Sequence, residues 1–319
     1  MNQPEQSSIL YGRKITVECP ATVANLVCGF DILGMALKDP QDLIEMSVSD
    51  QPGIRISHAD GYDLPTDPAQ NVAGAALLDL MQGVEESVGF DLTITKLIKP
   101  GSGLGSSAAS SAGAVVAANQ LLGNRFSQKD LVRFAMAGEK VASGVKHADN
   151  IAPCIMGGIT LIRSIFPLDI IQLSAPPMYV TVVHPQIEVR TSDARQILRK
   201  EVLLKDAIRQ WGNIAGLVAG FLQKDYDLIG RSLEDVIIEP VRSILIPGFD
   251  EVKKASREAG ALGGGISGSG PSIFMLSREA ATAQNISVIM KDVYDSLGID
   301  SKIYVTTLNN EGATIRNLT

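Results

Sequence analysis

Residues 100–109 read Pro-Gly-Ser-Gly-Leu-Gly-Ser-Ser-Ala-Ala, with glycines at 101, 103 and 105 and hydroxyls at Ser102, Ser106 and Ser107. Glycine lets a backbone turn tightly and approach a ligand, because no Cβ stands between them. The small-residue stretch Ala108–Leu122 reads as a helix, whose unpaired N–H groups and positive dipole end face back toward the loop. Loop and helix together make a cradle for an anion, polyphosphate above all. A flexible linker is the plainer alternative, but a linker does not run straight into a long apolar helix. A Walker loop is excluded, since no Gly-x4-Gly-Lys-Ser/Thr string occurs. Gly103-Leu-Gly105-Ser-Ser-Ala108 matches a dinucleotide fingerprint. That fold requires a second strand carrying a ribose-binding carboxylate, whereas the pattern after Ser127 is another helix.

Other residues have the types that surround a reacting group. Pro20–Asp31 places the Asn25 carboxamide and the Asp31 carboxylate on an irregular stretch, where turn chemistry competes evenly with ligand binding. Glu139 lies on a helical pattern and suits Mg²⁺ if a serine of the glycine loop joins it, because Mg²⁺ takes one or two protein oxygens plus phosphate and water. By itself it reads as a solvated helix carboxylate. His147 and Asp149 form a candidate acid/base pair without a nucleophile motif, so a triad ranks low. The second glycine-rich segment, Gly263–Pro271, spells G-x-G-x-x-G, but an apolar strand and not a helix follows it, so it reads as a tight loop beside a substrate or phosphate, with a plain hairpin as the alternative. Arg195 and Arg242 have the chemistry for a carboxylate, though their spacing alone marks surface arginines.

The elements that must position these groups follow from periodicity. Strands are predicted over Lys14–Cys19 (ending at Pro20), Asp42–Ser49, Gly53–Ser57, Phe90–Lys96, Gly157–Ile165, Met178–His184, Ser272–Leu276 and Ser301–Thr306. Helices are predicted over Asn71–Glu86, Ser106–Leu122, Ser127–Ser143, Ser192–Leu203, Leu204–Leu222, Leu228–Val236, Pro247–Ala259 and Ala280–Leu297. The Ser127 helix is opened by a capping pair with Asp130. Strands followed by helices in each half of the 319 residues predict an α+β protein of two domains, 13–170 and 171–319, behind a disordered tail over 1–12. The net charge of −7 excludes a nucleic-acid partner. No apolar run is long enough to span a membrane, and no signal-peptide pattern opens the chain. Three cysteines without metal spacing predict reduced thiols and a cytoplasmic location.

Pro20–Asp31, Pro100–Ala109 and Gly263–Pro271, in that order, resemble the three motifs of the galactokinase–homoserine kinase–mevalonate kinase (GHMP) superfamily, across nearly the whole chain. Within it the chain is most similar to the homoserine kinases. These open with Pro-Ala-Thr-Ser-Ala-Asn-Leu-Gly-Pro-Gly-Phe-Asp and carry His-Pro-Asp-Asn-x-Ala-Pro; here the second motif reads His147-Ala-Asp-Asn-Ile-Ala-Pro153. Val23 stands where the first motif has Ser, Val27-Cys28 where it has Gly-Pro, and Ala148 where the second has Pro.

The resemblance implies a ribosomal-protein-S5-like N-terminal domain, a ferredoxin-like C-terminal domain, and ATP in the cleft between them. It implies that Pro100–Ser107, Leu104 included, wraps the ATP phosphates, with Asn71 on the adenine side and Ser107 and Glu139 on Mg²⁺. It further implies that L-homoserine meets Asn25, Asp31, His147, Asn150 and Gly268, while Thr191, Arg195 and Arg242 hold its carboxylate. Related kinases use an aspartate base where this chain has Asn150, so catalysis would rest on positioning, with Asp31 orienting the hydroxyl. The product would be O-phospho-L-homoserine, for threonine synthesis, and the assembly a homodimer. A kinase for another small hydroxyl substrate and an inactive nucleotide-binding regulator remain as alternatives.

Overall fold

A computed structural model describes residues 9–319; residues 1–8 of the expected tail lie outside them. Ile9 and Leu10, inside that expected tail, pack on the core, and the Leu10 N–H donates to the Leu121 carbonyl at 2.9 Å. The first half runs β1 (Lys14–Ala24), β2 (Leu33–Ser49), β3 (Gly53–His58), α1 (Val72–Met81), β4 (Gly89–Thr95), α2 (Ser106–Leu121), α3 (Gln128–Ser143), α4 (Ile151–Met156), β5 (Ile159–Ile165) and β6 (Leu168–Leu173). The second half runs β7 (Tyr179–Pro185), α5 (Thr191–Gln196), α6 (Leu204–Gln223), α7 (Tyr226–Ser232), α8 (Glu239–Arg242), α9 (Phe249–Glu258), β8 (Gly263–Ile266), β9 (Ile273–Ser277), α10 (Ala280–Ser296), β10 (Ser301–Thr307) and β11 (Thr314–Leu318).

Two sheets result. The larger has the order β11-β1-β2-β4-β3, with β5 paired to β2 and β6 to β5; the smaller has the order β10-β7-β9-β8. Only the β3–β4 pairing is parallel among the described strands. Alternate residues Ile15, Val17 and Cys19 turn one face of β1 into the core. α2 lies against that sheet closely enough that a Cβ on Gly113 would overlap Cys19 and Ile44. A second cluster, including Phe249, Val252, Ile273, Met290 and Tyr294, fills the space between the smaller sheet and α9 and α10. β6 crosses the expected division at 170/171, and β11 returns from the second half to the edge of the first sheet.

Three departures from the periodicity have local causes. β1 continues through Pro20, where a stop was predicted. Its pairing with β11 ends at Glu18, so the missing Pro20 N–H falls at an edge, and a register shift between Pro20 and Thr22 absorbs the kink. β2 also reaches back to Leu33, where it pairs with β5. The helix predicted over Ser192–Leu203 stops after Gln196, which leaves Arg195 in the last turn of a short α5.

Candidate active site

α2 has no side chain at its N-terminus to cap it: its N-cap is Gly105, in the left-handed region at φ 67°. Its first N–H groups therefore stay available, as an anion site requires. Gly101 and Gly103 are also left-handed, at φ 74° and 80°. All three glycines line a cavity of about 360 Å³, together with Pro100, Ser106 and Ser107. Ser102 and Leu104 are buried away from it. The Thr22 N–H donates to the Leu104 carbonyl at 3.1 Å, and the Ser272 N–H to that of Ser102 at 3.3 Å. Every second residue of the loop thus serves the ligand side while those between tie it to the protein.

The two serines of the first turn differ. Ser106 Oγ donates to the Ile98 carbonyl at 2.9 Å, whereas Ser107 Oγ donates to Glu139 Oε2 at 3.0 Å. Burial raises the Glu139 carboxyl above its ordinary value, against the Ser107 bond. The paired oxygens of Ser107 and Glu139 border the cavity, and hydroxyl plus carboxylate is the donor set of a hard cation that keeps phosphate and water ligands. Lys96 lies beneath them, a residue that periodicity alone passes over as a strand end. Its ammonium pairs with buried Asp42 and donates to the Ser106 carbonyl at 2.6 Å and to Ser110 Oγ at 2.9 Å. The other Asp42 oxygen accepts from the Leu97 and Ile98 N–H groups, at 2.7 and 2.8 Å. One ion pair therefore fixes the glycine loop where it leaves β4 and where it enters α2.

The β1–β2 loop also lines the cavity, through Asn25, Phe30 and Asp31. Asn25 uses its carboxamide within the protein: Nδ2 donates to the Gly268 carbonyl at 2.9 Å, and Oδ1 accepts the Asp31 N–H at 3.0 Å. Arg195 grips the Asp31 carboxylate with both terminal nitrogens, at 3.0 and 3.3 Å. His147 Nδ1 stands 3.6 Å from the same carboxylate. The expected His147–Asp149 pair is thus replaced by a His147–Asp31 contact. Burial lowers the His147 pKa, with Asp31 opposing, and its Nε2 is buried without a partner among the described residues. Asp149 is buried at the cavity wall, where desolvation, then Asp31 and Glu139, push its carboxyl up to about 7. Asn150 Oδ1 accepts from Thr22 Oγ1 at 2.7 Å, a partner that no motif signals.

Arg242 approaches from α8, donating from Nε to the Ala194 carbonyl at 2.9 Å and from Nη1 to that of Gly268 at 3.1 Å. Burial, then the nearby Arg195, lower its pKa to about 10. The Phe30 ring lies under both guanidinium groups, 4.8 Å from Arg242 and 5.5 Å from Arg195, and offsets part of their repulsion. Thr191 reaches the same cavity, with its hydroxyl 3.2 Å from that of Ser269. Residues 267–271 form the turn between β8 and β9, and this turn rests on the glycine loop: Ser267 Oγ donates to the Gly103 carbonyl at 2.7 Å. The second glycine-rich segment is both a hairpin and a wall of the site. Asn71 stands apart. Its side chain caps α1, accepting from the Ala73 and Gly74 N–H groups and donating to the Pro65 carbonyl; Val72 and Leu64 line the cavity in its place.

Known proteins resemble this chain along most of its length. Residues 71–158 match the family model for the GHMP kinase N-terminal domain, and residues 217–296 that for the GHMP kinase C-terminal domain. The homoserine kinase of Chloroherpeton thalassium is 46% identical over 95% of this chain and 99% of its own length. That of Chlorobium phaeobacteroides is 43% identical over 92% of this chain and 97% of its own. A crystal structure of homoserine kinase from Cytophaga hutchinsonii superposes with a TM-score of 0.91, at 48% identity and 99% coverage of both chains. Leishmania major mevalonate kinase shares the fold, with a TM-score of 0.69 at 15% identity and coverage of 97% of this chain and 98% of that one. The chain belongs to the homoserine kinases of the GHMP kinase family.

Proposed function

We propose that this chain transfers the γ-phosphoryl group of ATP to the side-chain hydroxyl of L-homoserine, forming O-phospho-L-homoserine for threonine biosynthesis. One observation carries the reading: a single cavity is lined both by an anion cradle and by two guanidinium groups. A substrate that joins a phosphoryl acceptor to a carboxylate fits that division.

In this reading Pro100–Ser107 holds the phosphates through backbone N–H groups and the α2 dipole. Asn71 supports the nucleotide side indirectly, by capping α1. Ser107 and Glu139 would hold Mg²⁺, which supplies neutralising charge at the phosphates. The substrate carboxylate takes Arg195 and Arg242, which frees Asp31 from its present grip to orient the hydroxyl. Buried Asp149 faces the ammonium, and His147 stays neutral beside them. Asn25 shapes the pocket through Gly268 and Asp31, and Asn150 through Thr22. No group is required as a strong base, because the loose transition state of phosphoryl transfer depends on alignment and electrostatics. Family membership supports a cytoplasmic homodimer; no helix among the described residues is long and apolar enough to cross a membrane.

ADP release by the purified protein, with ATP, Mg²⁺ and either L-homoserine, mevalonate, galactose, shikimate or no acceptor, tests the proposal. Turnover with homoserine alone is expected. Turnover with another acceptor would reassign the substrate, and ATP binding without turnover would favour a regulator.

A further inference from the structure

β3 and β4 run parallel, with His58 opposite Ile94. Parallel strands end on the same edge of their sheet, so the segments that follow them leave side by side. After β4, residues 96–105 become the glycine loop. After β3, residues 59–71 bring Leu64 to the cavity and end at α1, whose first residue, Val72, lines it too. With Ala142 these side chains form an apolar part of the lining. A flat nucleobase suits that part, as phosphates suit the cradle. This division of the nucleotide rests on the reading of the chain as an ATP-dependent kinase.

Asp60 is bonded to both segments. Its side chain is only 2% exposed, and its two oxygens are divided between them. Oδ1 accepts the Tyr62 N–H at 3.0 Å, and Oδ2 accepts the Lys96 N–H at 2.8 Å. His58 Nδ1 stands 3.8 Å from Oδ2. A carboxylate that deep is costly unless such bonds hold it. The Tyr62 bond tightens a turn that continues in the Leu64 N–H, which donates to the Tyr62 carbonyl at 3.0 Å. On the other segment, Lys96 supplies the first of three successive N–H groups held by carboxylates. Those of Leu97 and Ile98 go to Asp42. Asp42 lies on β2 and anchors the cradle to the sheet, whereas Asp60 carries that anchorage across to the segment bearing Leu64.

We propose that Asp60 is a positioning residue that sets the separation between the nucleobase wall and the phosphate cradle. A ligand that touches both regions feels a change in that separation. One that touches the cradle alone does not, because Asp42 still holds the cradle in place. Asp60 therefore governs affinity for nucleotides and not for free polyphosphate.

Calorimetric titration of the full-length protein with ADP and with inorganic tripolyphosphate, each with Mg²⁺, tests the assignment. Wild type should bind ADP more tightly than tripolyphosphate. Asp60→Ala should weaken ADP by about 30-fold and tripolyphosphate by no more than about threefold. KM for ATP should rise with the ADP constant, while kcat and KM for homoserine stay within about twofold. If the alanine variant does not fold, Asp60→Asn carries the test. It keeps the volume but sets an NH₂ against one of the two N–H groups, and should weaken ADP alone by at least about fivefold. Equal weakening of ADP and tripolyphosphate, a variant indistinguishable from wild type, or a matching rise in KM for homoserine would each overturn the role of Asp60. Wild type that binds neither ligand would instead overturn the nucleotide reading on which that role rests.

Discussion

Two loops line the cavity, and they meet the same conformational demand differently. In residues 100–107 the left-handed positions fall on glycines, at 101, 103 and 105. In residues 25–31 they fall on Asn25, Leu26, Val27 and Asp31, with φ between 41° and 74°. An L-residue there costs on the order of 1 kcal/mol or more, and a β-branched one such as Val27 is a clear outlier. The glycine loop therefore takes its shape with little backbone strain of its own, and Thr22, Ser267 and the Lys96–Asp42 pair anchor it. The acceptor loop bonds to itself, as in the Gly29 N–H to the Asn25 carbonyl at 2.8 Å, and distant elements add to its hold: Gly268 through Asn25, Arg195 through Asp31, and Gln210, whose Nε2 donates to the Cys28 carbonyl at 2.8 Å. The nucleotide side should be sensitive in place, and the acceptor side sensitive at a distance.

Glycine replacement gives the largest expected effect. A Cβ on Gly105 would overlap Thr22 Oγ1, and one on Gly103 would come within 2.6 Å of the Ser267 carbonyl oxygen. Gly105→Ala should lower kcat/KM for ATP by about 10³-fold, through displaced donors and a displaced phosphoryl group. At Gly101 a Cβ meets nothing within 4 Å, so only the left-handed strain remains. Gly101→Ala should cost about 10-fold or less. Equal losses in steady-state ADP release would remove the claim that close approach, rather than backbone freedom, governs this loop.

Arg195→Leu addresses the other wall. Losing a charged, two-pronged contact should raise KM for homoserine by about 10²-fold. KM for ATP should stay within about twofold, since a carboxylate clamp contributes nothing to phosphate binding. A parallel rise in both constants would mean that the loops do not act separately.

The same contrast explains what could be read without coordinates. Pro100–Ser107 was legible as a cavity wall because the role proposed for it is local chemistry, and the strand before it and the helix after it follow from periodicity. Glu139 was legible as a metal candidate once that loop supplied a partner. The acceptor loop was legible as residue types but not as contacts. No spacing shows that Asn25 bonds Gly268, 243 positions away, or that Asn150 meets Thr22. Lys96 and Asp42 escaped notice because their meaning lies in burial, which leaves no periodic signal. Pro20 misled for the same reason, since only its edge position makes it tolerable within a strand.

Asp149 gives a pH-dependent effect of intermediate size. Its carboxyl must be ionised to hold an ammonium group, and its pKa stands at about 7 in place of the ordinary 3.8. Wild-type kcat/KM for homoserine should therefore fall by about tenfold for each pH unit below 7. Asp149→Asn should be about 30-fold weaker at pH 8 and flat across that range. Stability runs the other way. The folded state retains this proton to higher pH than the unfolded chain, so the cost of ionising the buried group is absent below about 4, grows through the interval and is complete above about 7. Asp149→Asn should thus melt no lower than wild type at pH 8, while losing activity there. Lower activity with lower melting would make Asp149 structural.

Gln210→Ala makes the smallest perturbation and bears most directly on the difference between the loops. The residue sits on α6, with no atom lining the cavity. Its side chain donates to Cys28 and accepts the Val236 N–H at 3.1 Å, and both bonds are inside the protein. Truncation leaves a carbonyl and an N–H unpartnered, at about 1–3 kcal/mol. Part of that loss should appear as relaxation of the strained acceptor loop, since Cys28 lies between left-handed Val27 and Asp31. KM for homoserine should rise about fivefold, with kcat and KM for ATP little changed. Gln210→Glu keeps the acceptor but not the donor, and should retain the Val236 contact while releasing Cys28. If it matches alanine in KM, the Cys28 bond is what holds the acceptor wall in place. If it matches wild type, the loop keeps its left-handed residues without that bond, and the contrast with the glycine loop narrows to Asn25 and Arg195.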